Sequence, residues 1–200
     1  MKLLLFSDLH NSQSAAMRLV EMAAAVDVLV GAGDFATVRR GIEITIDILK
    51  QTGKTAVLVP GNSESFEELQ AACGRWQGAH VLHGSSVTID GLTFAGLGGG
   101  IPVTPFGSWS YDFSDEEASQ LLASAGDGCD VLVSHSPPFG AVDVSSSGRQ
   151  LGSRAIRTYV EAKQPRLVVC GHIHASAGKQ EMVGKTAVIN AGPNGIIYEL

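Results

Sequence analysis

Five short aliphatic runs, each followed by side chains that can bind a metal, set the tightest limit on how this chain folds. The runs are Leu3-Leu4-Leu5-Phe6, Val26-Asp27-Val28-Leu29-Val30, Ala56-Val57-Leu58-Val59, Val131-Leu132-Val133 and Leu167-Val168-Val169. Each is bounded by turn formers and reads as a buried strand. Just past their ends come Asp8-Leu9-His10, Gly33-Asp34, Gly61-Asn62, His135 and Gly171-His172-Ile173-His174. In sheets with helices on their faces, sites collect outside the carboxyl ends of the strands. Five strands thus deliver polar termini to one rim, and a metal centre is the simplest reason.

Helical patterns fall between these strands. Ala16, Leu19, Val20 and Ala23 mark a helix over about 12–25, and Ile42, Ile46 and Leu49 another near 39–51. Ser65-Phe66-Glu67-Glu68 has the capping-box pattern and opens a third. Asp90-Gly91 between Val87-Thr88-Ile89 and Leu92-Thr93-Phe94-Ala95 signals a hairpin. An irregular glycine-rich stretch follows, from Gly98 to Tyr111, before helices near 114 and 152–162 and closing β structure after Val183. No repeat or linker interrupts the pattern, so one mixed α/β domain over residues 1–200 is expected.

Two hundred residues suit one domain with a sizeable core. The formal charge of -6 argues against a broad electrostatic footprint on long nucleic acid. It leaves room for a small phosphorylated ligand, because bound cations reverse the local field. Three cysteines, Cys73, Cys129 and Cys170, lack CxxC spacing and read as reduced, packed thiols. The apolar opening is too short for a signal peptide, and no stretch approaches the roughly 20 apolar residues of a spanning helix. A cytoplasmic protein without membrane contact is the expectation.

Asp8 and His10, like His172 and His174, are two residues apart. In extended chain, positions i and i+2 point to one side, so each pair can reach one ion. Carboxylate and amide oxygens mixed with imidazoles suit Mn, Fe, Zn, Ni, Co or Mg, with Mn the leading choice. Taken singly each motif has an ordinary reading: a turn at Gly33-Asp34, a helix cap at Asn62, a packed histidine at 135. Their joint order at successive strand ends outweighs those readings.

The order D-x-H, G-D, G-N, H, G-H-x-H resembles the calcineurin-like metallophosphoesterase superfamily over nearly the whole chain, and His135-Ser136-Pro137-Pro138-Phe139-Gly140 resembles its small phosphodiesterase-like branch. The resemblance implies a four-layer α/β fold, two facing mixed sheets flanked by helices. It also implies two divalent ions: Asp8, His10, Asp34 and His174 around one, Asp34, Asn62, His135 and His172 around the other, with Asp34 bridging. Two such ions, about 3.5–4 Å apart, share a hydroxide and clamp a phosphoryl group. Asp34, Asn62 and His135 would then support that hydroxide and the phosphate.

Two departures matter. Many members carry histidine after the Gly-Asn pair as a candidate proton donor; here the position is Ser63, followed by Glu64. A hydroxyl is a poor general acid near neutrality. Protein Ser/Thr phosphatases carry a GDxxDRG-like continuation, whereas Asp34-Phe35-Ala36-Thr37-Val38-Arg39-Arg40 lacks the second Asp and places its arginines later. Arg39 and Arg40 read as helix-start or surface residues, and a protein phosphatase is disfavoured.

Among other residues, His80 and His83 read as loop packing, while Trp109, Tyr111 and Phe113 could form a stacking wall. Arg149 and Arg154 are the basic candidates for contacting phosphate. The leading expectation is a phosphodiesterase on a small or nucleotide-like substrate. The rivals are a phosphomonoesterase, a nucleotide pyrophosphate hydrolase, a non-catalytic scaffold and a nuclease. Oligomeric state is not legible.

Overall fold

The computed structural model describes residues 1–200. Eleven strands form two sheets. The first has the order β11-β1-β2-β3-β4, built from β1 (Lys2–Phe6), β2 (Val28–Ala32), β3 (Thr55–Val59), β4 (Ala79–Val81) and β11 (Ile196–Glu199). The second runs β5-β6-β7-β8-β10-β9, from β5 (Ser85–Ile89), β6 (Leu92–Leu97), β7 (Val131–Ser134), β8 (Leu167–Cys170), β9 (Gln180–Val183) and β10 (Thr186–Asn190). Strands β1 to β4 are mutually parallel and β11 pairs antiparallel with β1. In the second sheet β6, β7, β8 and β10 are parallel, and β5 and β9 run antiparallel at its edges.

Apart from the exposed Asp27, which lies before β2, the aliphatic runs are apolar throughout because both faces are covered. Alternate residues of β1, Leu3 and Leu5, join Val28, Val30, Val57 and Val59 in an inter-sheet core with Val131, Val133, Leu167 and Val169 of the facing sheet. Leu4 and Phe6 point the other way, into a layer with α1 (Gln13–Ala23), α2 (Ile42–Leu49) and α3 (Phe66–Cys73). On the far side Leu132 and Val168 pack under α4 (Asp115–Ser124) and α5 (Arg154–Lys163). The result is helices, sheet, sheet, helices, the four layers expected.

Local chemistry places the boundaries. Ser65 and Ser114 each close a full capping box, with Glu68 and Glu117. Asp90 and Gly91 both have positive φ, 47° and 82°, the geometry of a tight hairpin turn joining β5 to β6. The second helix starts later than its apolar spacing predicts. Val38, Arg39 and Gly41 all adopt left-handed φ, and Thr37 and Arg40 pair in a small bridge, so helix begins only at Ile42. The edge strand β4, only 3 residues long, offers too few positions for a reading by periodicity. All three cysteines are free thiols. No helix is long and apolar enough to cross a membrane.

Register sets the rim. Phe6 lies level with Gly31 and Gly31 with Leu58, so the loops after β1, β2 and β3 leave the sheet side by side. In the facing sheet Val133 pairs with Val169, which brings His135 level with Gly171. Leu5, fully buried between the sheets, tests this arrangement. Leu5→Ala should lower unfolding free energy by about 3 kcal/mol through lost burial and a residual cavity, read as a reduced urea midpoint.

Candidate metal centre

The loop after β1 is not extended. Asp8 and His10 both adopt left-handed φ, 56° and 43°, and His172 does so at 65°. The i, i+2 geometry expected of a continuing strand is therefore replaced. Asp8 N–H donates to Gly33 O at 2.9 Å and His10 N–H to Asp34 O at 2.9 Å, so the first loop is laced along the second. Both side chains reach the rim because the loop curls over its neighbour.

Seven side chains meet there. Asp8, His10, Asp34 and His174 each bring one ligand atom to within 4.8 Å of the others, a group that could hold a metal ion. On the other side of Asp34 lie Asn62, His135 and His172. Asn62 Oδ1 is 3.2 Å from His135 Nε2 and 3.1 Å from His172 Nδ1. Asp34 faces both groups: Oδ2 is 3.4 Å from His10 Nε2, and Oδ1 is 3.6 Å from His135 Nε2.

The polarity of these contacts matters more than their number. His10 Nδ1 lies 3.2 Å from Ala36 O and His135 Nδ1 2.7 Å from Ala32 O. Each carbonyl takes the ring N–H, which leaves Nε2 of both histidines a bare lone pair aimed at the cluster. His10 Nε2 then sits 3.1 Å from His174 Nε2. Lone pairs and carboxylate oxygens converge, with few hydrogens between them, an arrangement that a divalent cation completes. The donor set fits such an ion.

Ionisation follows the same field. Burial opposes the charge on Asp8, but a hydrogen bond from His174, the His135 charge and the Ser7 hydroxyl win, holding Asp8 down at about 2. Burial lowers His135, yet Asp34 and Asp8 outweigh it and raise the imidazole above its ordinary value. Asp8 raises His174 in the same way. Burial and the neighbouring His135 push His172 down to about 4, keeping it neutral with a lone pair free. The pocket calls for positive charge, and histidine protonation is its substitute.

Supporting residues fix this geometry, and the sequence did not single most of them out. Glu64, fully buried, accepts N–H bonds from Asp34 (2.8 Å), Phe35 (3.3 Å), Ala36 (2.9 Å) and Gly61 (2.7 Å), clamping the second loop to the third. Burial and the adjacent Asp34 charge push it up to about 7, against the backbone bonds that hold it down. Asn62 Nδ2 donates to Ser110 Oγ at 3.0 Å, and Ser110 Oγ donates to Asp112 Oδ1 at 2.8 Å. That chain turns Asn62 Oδ1 toward the histidines. Asn190 Nδ2 donates to both Gly171 O and Ile173 O at 3.1 Å, bracing the last ligand loop. The loops approach so closely that a Cβ on Gly33 would lie 2.6 Å from both Gly61 Cα and His135 Nδ1. Only glycine fits there, and its φ of 87° suits glycine too.

Other expected site residues lie apart. Arg154 stacks over the Phe139 ring at 4.2 Å and lines a different pocket, between α4 and α5. Neither it nor Arg149 is among the residues lining the cleft over the ligand cluster. Tyr111 and Phe113 pack on His83 at 5.8 and 4.8 Å, leaving Trp109 as the one aromatic of that trio in the cleft. Arg39 pairs with Glu68 at 2.8 Å.

Residues 1–176 match the sequence profile of the calcineurin-like phosphoesterase family. The chain belongs to that family. It is 29% identical over 168 residues to human metallophosphoesterase domain-containing protein 1, covering 78% of this chain and 47% of that protein. The chain thus spans about half the length of that curated relative. In fold it is similar to the protein TT1561 of Thermus thermophilus, with a TM-score of 0.75, 17% identity, and coverage of 96% and 90%. A dimetal phosphatase from Danio rerio gives a TM-score of 0.59 at 13% identity, with coverage of 95% and 86%.

Two variants test the supports. Glu64→Gln replaces one carboxylate oxygen by an amide N–H that meets at least one backbone donor, the Ala36 N–H, and should cost about 2 kcal/mol of unfolding free energy, measured by urea denaturation. Ser110→Ala should leave stability nearly unchanged while weakening Mn affinity about tenfold, as loss of a ligand-orienting partner does, measured by calorimetric titration.

Proposed function

We propose that this chain hydrolyses phosphodiesters of small or nucleotide-like substrates with two divalent ions, Mn foremost. Asp8, His10, Asp34 and His174 hold one ion; Asp34, Asn62, His135 and His172 hold the other. The observation that carries this reading is Asp34, whose two oxygens face different ligand groups. Bound there, the ions supply Lewis acidity and lower the pKa of water to make a nucleophile. The protein supplies position and charge. Asp34 Oδ1 is held by the Ser63 N–H at 2.8 Å, and Asp8 is held by Ser7 Oγ at 2.6 Å and the His172 N–H at 3.0 Å.

A diester is favoured by what the cleft lacks. Its lining contains no lysine or arginine, so beyond the cations nothing meets the second charge of a monoester or the added charges of a pyrophosphate. The absence of basic residues weighs equally against a nuclease on long strands. Retention of seven converging ligands weighs against a pure scaffold.

Proton delivery to the leaving group is the weak point of this site. Glu64 is committed to four backbone N–H groups, and His10 and His135 have their ring N–H groups engaged by carbonyls. Ser63 is buried and carries only a hydroxyl. Turnover should therefore depend steeply on leaving-group acidity.

Saturating Mn should raise the melting temperature by about 5–10 °C, the shift for about 2.7 kcal/mol of linkage at a hundredfold excess over Kd. In Asp34→Asn that shift should largely vanish. With Mn, bis(p-nitrophenyl) phosphate should turn over faster than p-nitrophenyl phosphate; the reverse order, or silence on both, refutes the reading. Ser63→His should speed esters of weakly acidic alcohols more than nitrophenyl esters, and equal effects on both would remove the missing-acid account.

A further inference from the structure

Away from its ligands, the cleft of about 660 Å³ changes character. Val38, Phe106, Trp109, Leu151 and Ile173 line it. Nine large hydrophobic side chains are exposed in this chain, and three of them, Val38, Phe106 and Leu151, meet here, with Phe106 at 51%. Scattered exposed apolar residues need no explanation, but a group of them beside a metal-ligand cluster does. The Phe106 and Trp109 rings lie parallel, 5.6 Å apart at 10° between planes.

This wall is held to the ligand cluster by hydrogen bonds. Tyr111 N–H donates to Asn62 O at 3.0 Å, and Asn62 Nδ2 to Ser110 Oγ at 3.0 Å. Asp112 Oδ2 takes both the N–H (2.9 Å) and hydroxyl (2.6 Å) of Thr104, which closes the base of the loop. Opposite, Leu151 N–H donates to Asp143 O at 3.1 Å, and Ser176 Oγ ties the same loop through Val144 O at 2.9 Å. The nearby Arg39 is turned to Glu68 and to Trp109 O, at 2.8 and 3.4 Å, and presents no free charge to the cleft.

We propose that this wall seats the organic half of the substrate, and that the substrate is an ester of a single phosphate with an uncharged aromatic alcohol. The phosphate half rests on the hydrolase reading above; the wall stands on its own residues. A flat ring laid on the outer face of this stacked pair gains stacking and apolar burial. A second anionic group would find no partner there.

Phenylphosphonate and methylphosphonate carry the same head group, so its second charge cancels in the comparison, and neither is cleaved by phosphoester hydrolysis. Titrated calorimetrically into the Mn-loaded protein, phenylphosphonate should bind about tenfold more tightly. The preference should fall to about threefold in Phe106→Ala or Trp109→Ala, and below twofold in the double variant, with methylphosphonate affinity unchanged. Phe106 is exposed, so its truncation leaves the fold intact and keeps the test open. 4-Carboxyphenylphosphonate should bind more weakly than phenylphosphonate. Equal binding of the first two probes, a preference surviving in the double variant, tighter binding of the carboxylated ring, or no binding of any probe would overturn the proposal. Ring preference without turnover of any ester refutes the hydrolase reading alone; turnover without ring preference refutes the wall alone.

Discussion

Electron-pair donors repel one another unless something positive lies between them, and the rim of this molecule is organised around that fact. His10 and His135 have each given their single ring N–H to a backbone carbonyl, so neither can relieve the crowding with a proton of its own while neutral. The carboxylates of Asp8 and Asp34 sit in the same space, both nearly buried. A fold that turns its histidine donors to the far side of each ring is prepared for a cation. The raised affinities of His135 and His174 for protons report the same demand.

Holding such a cluster together requires loops that pack backbone against backbone. Glycine at 33, 61 and 171 permits the approach, and Glu64 supplies acceptors for the N–H groups that the approach would strand. Burying a carboxylate is costly, and four backbone donors are what make it tolerable here. Glu64 is thus explained by the loops it joins.

The central strands were legible because both their faces are covered, so their runs are almost wholly apolar and stand out. The candidate ligands drew attention because they recur at strand ends. What the sequence hid depends on contacts distant in the chain. Asp8 and His10 reach the rim through a left-handed loop that leans on residues 33–35, which no local spacing reveals. Ser110 and Asn190 support ligands across 48 and 17–19 residues, and as lone polar side chains they carry no local signal. Arg149 and Arg154 drew attention by charge alone, yet one is exposed and the other rests on Phe139. Phe106, an exposed ring in an irregular stretch, became visible only beside Trp109.

The ladder of β1 is shared between β2 on one side and β11, residues 196–199, on the other. Ser7, which grips Asp8, exchanges hydrogen bonds with Gly192, 185 residues further along. Asp8 is therefore braced by chain synthesised well after it. Closing so long a loop comes late in folding, so a nascent polypeptide can assemble helices and parallel strands in order while its first ligand loop waits unbraced.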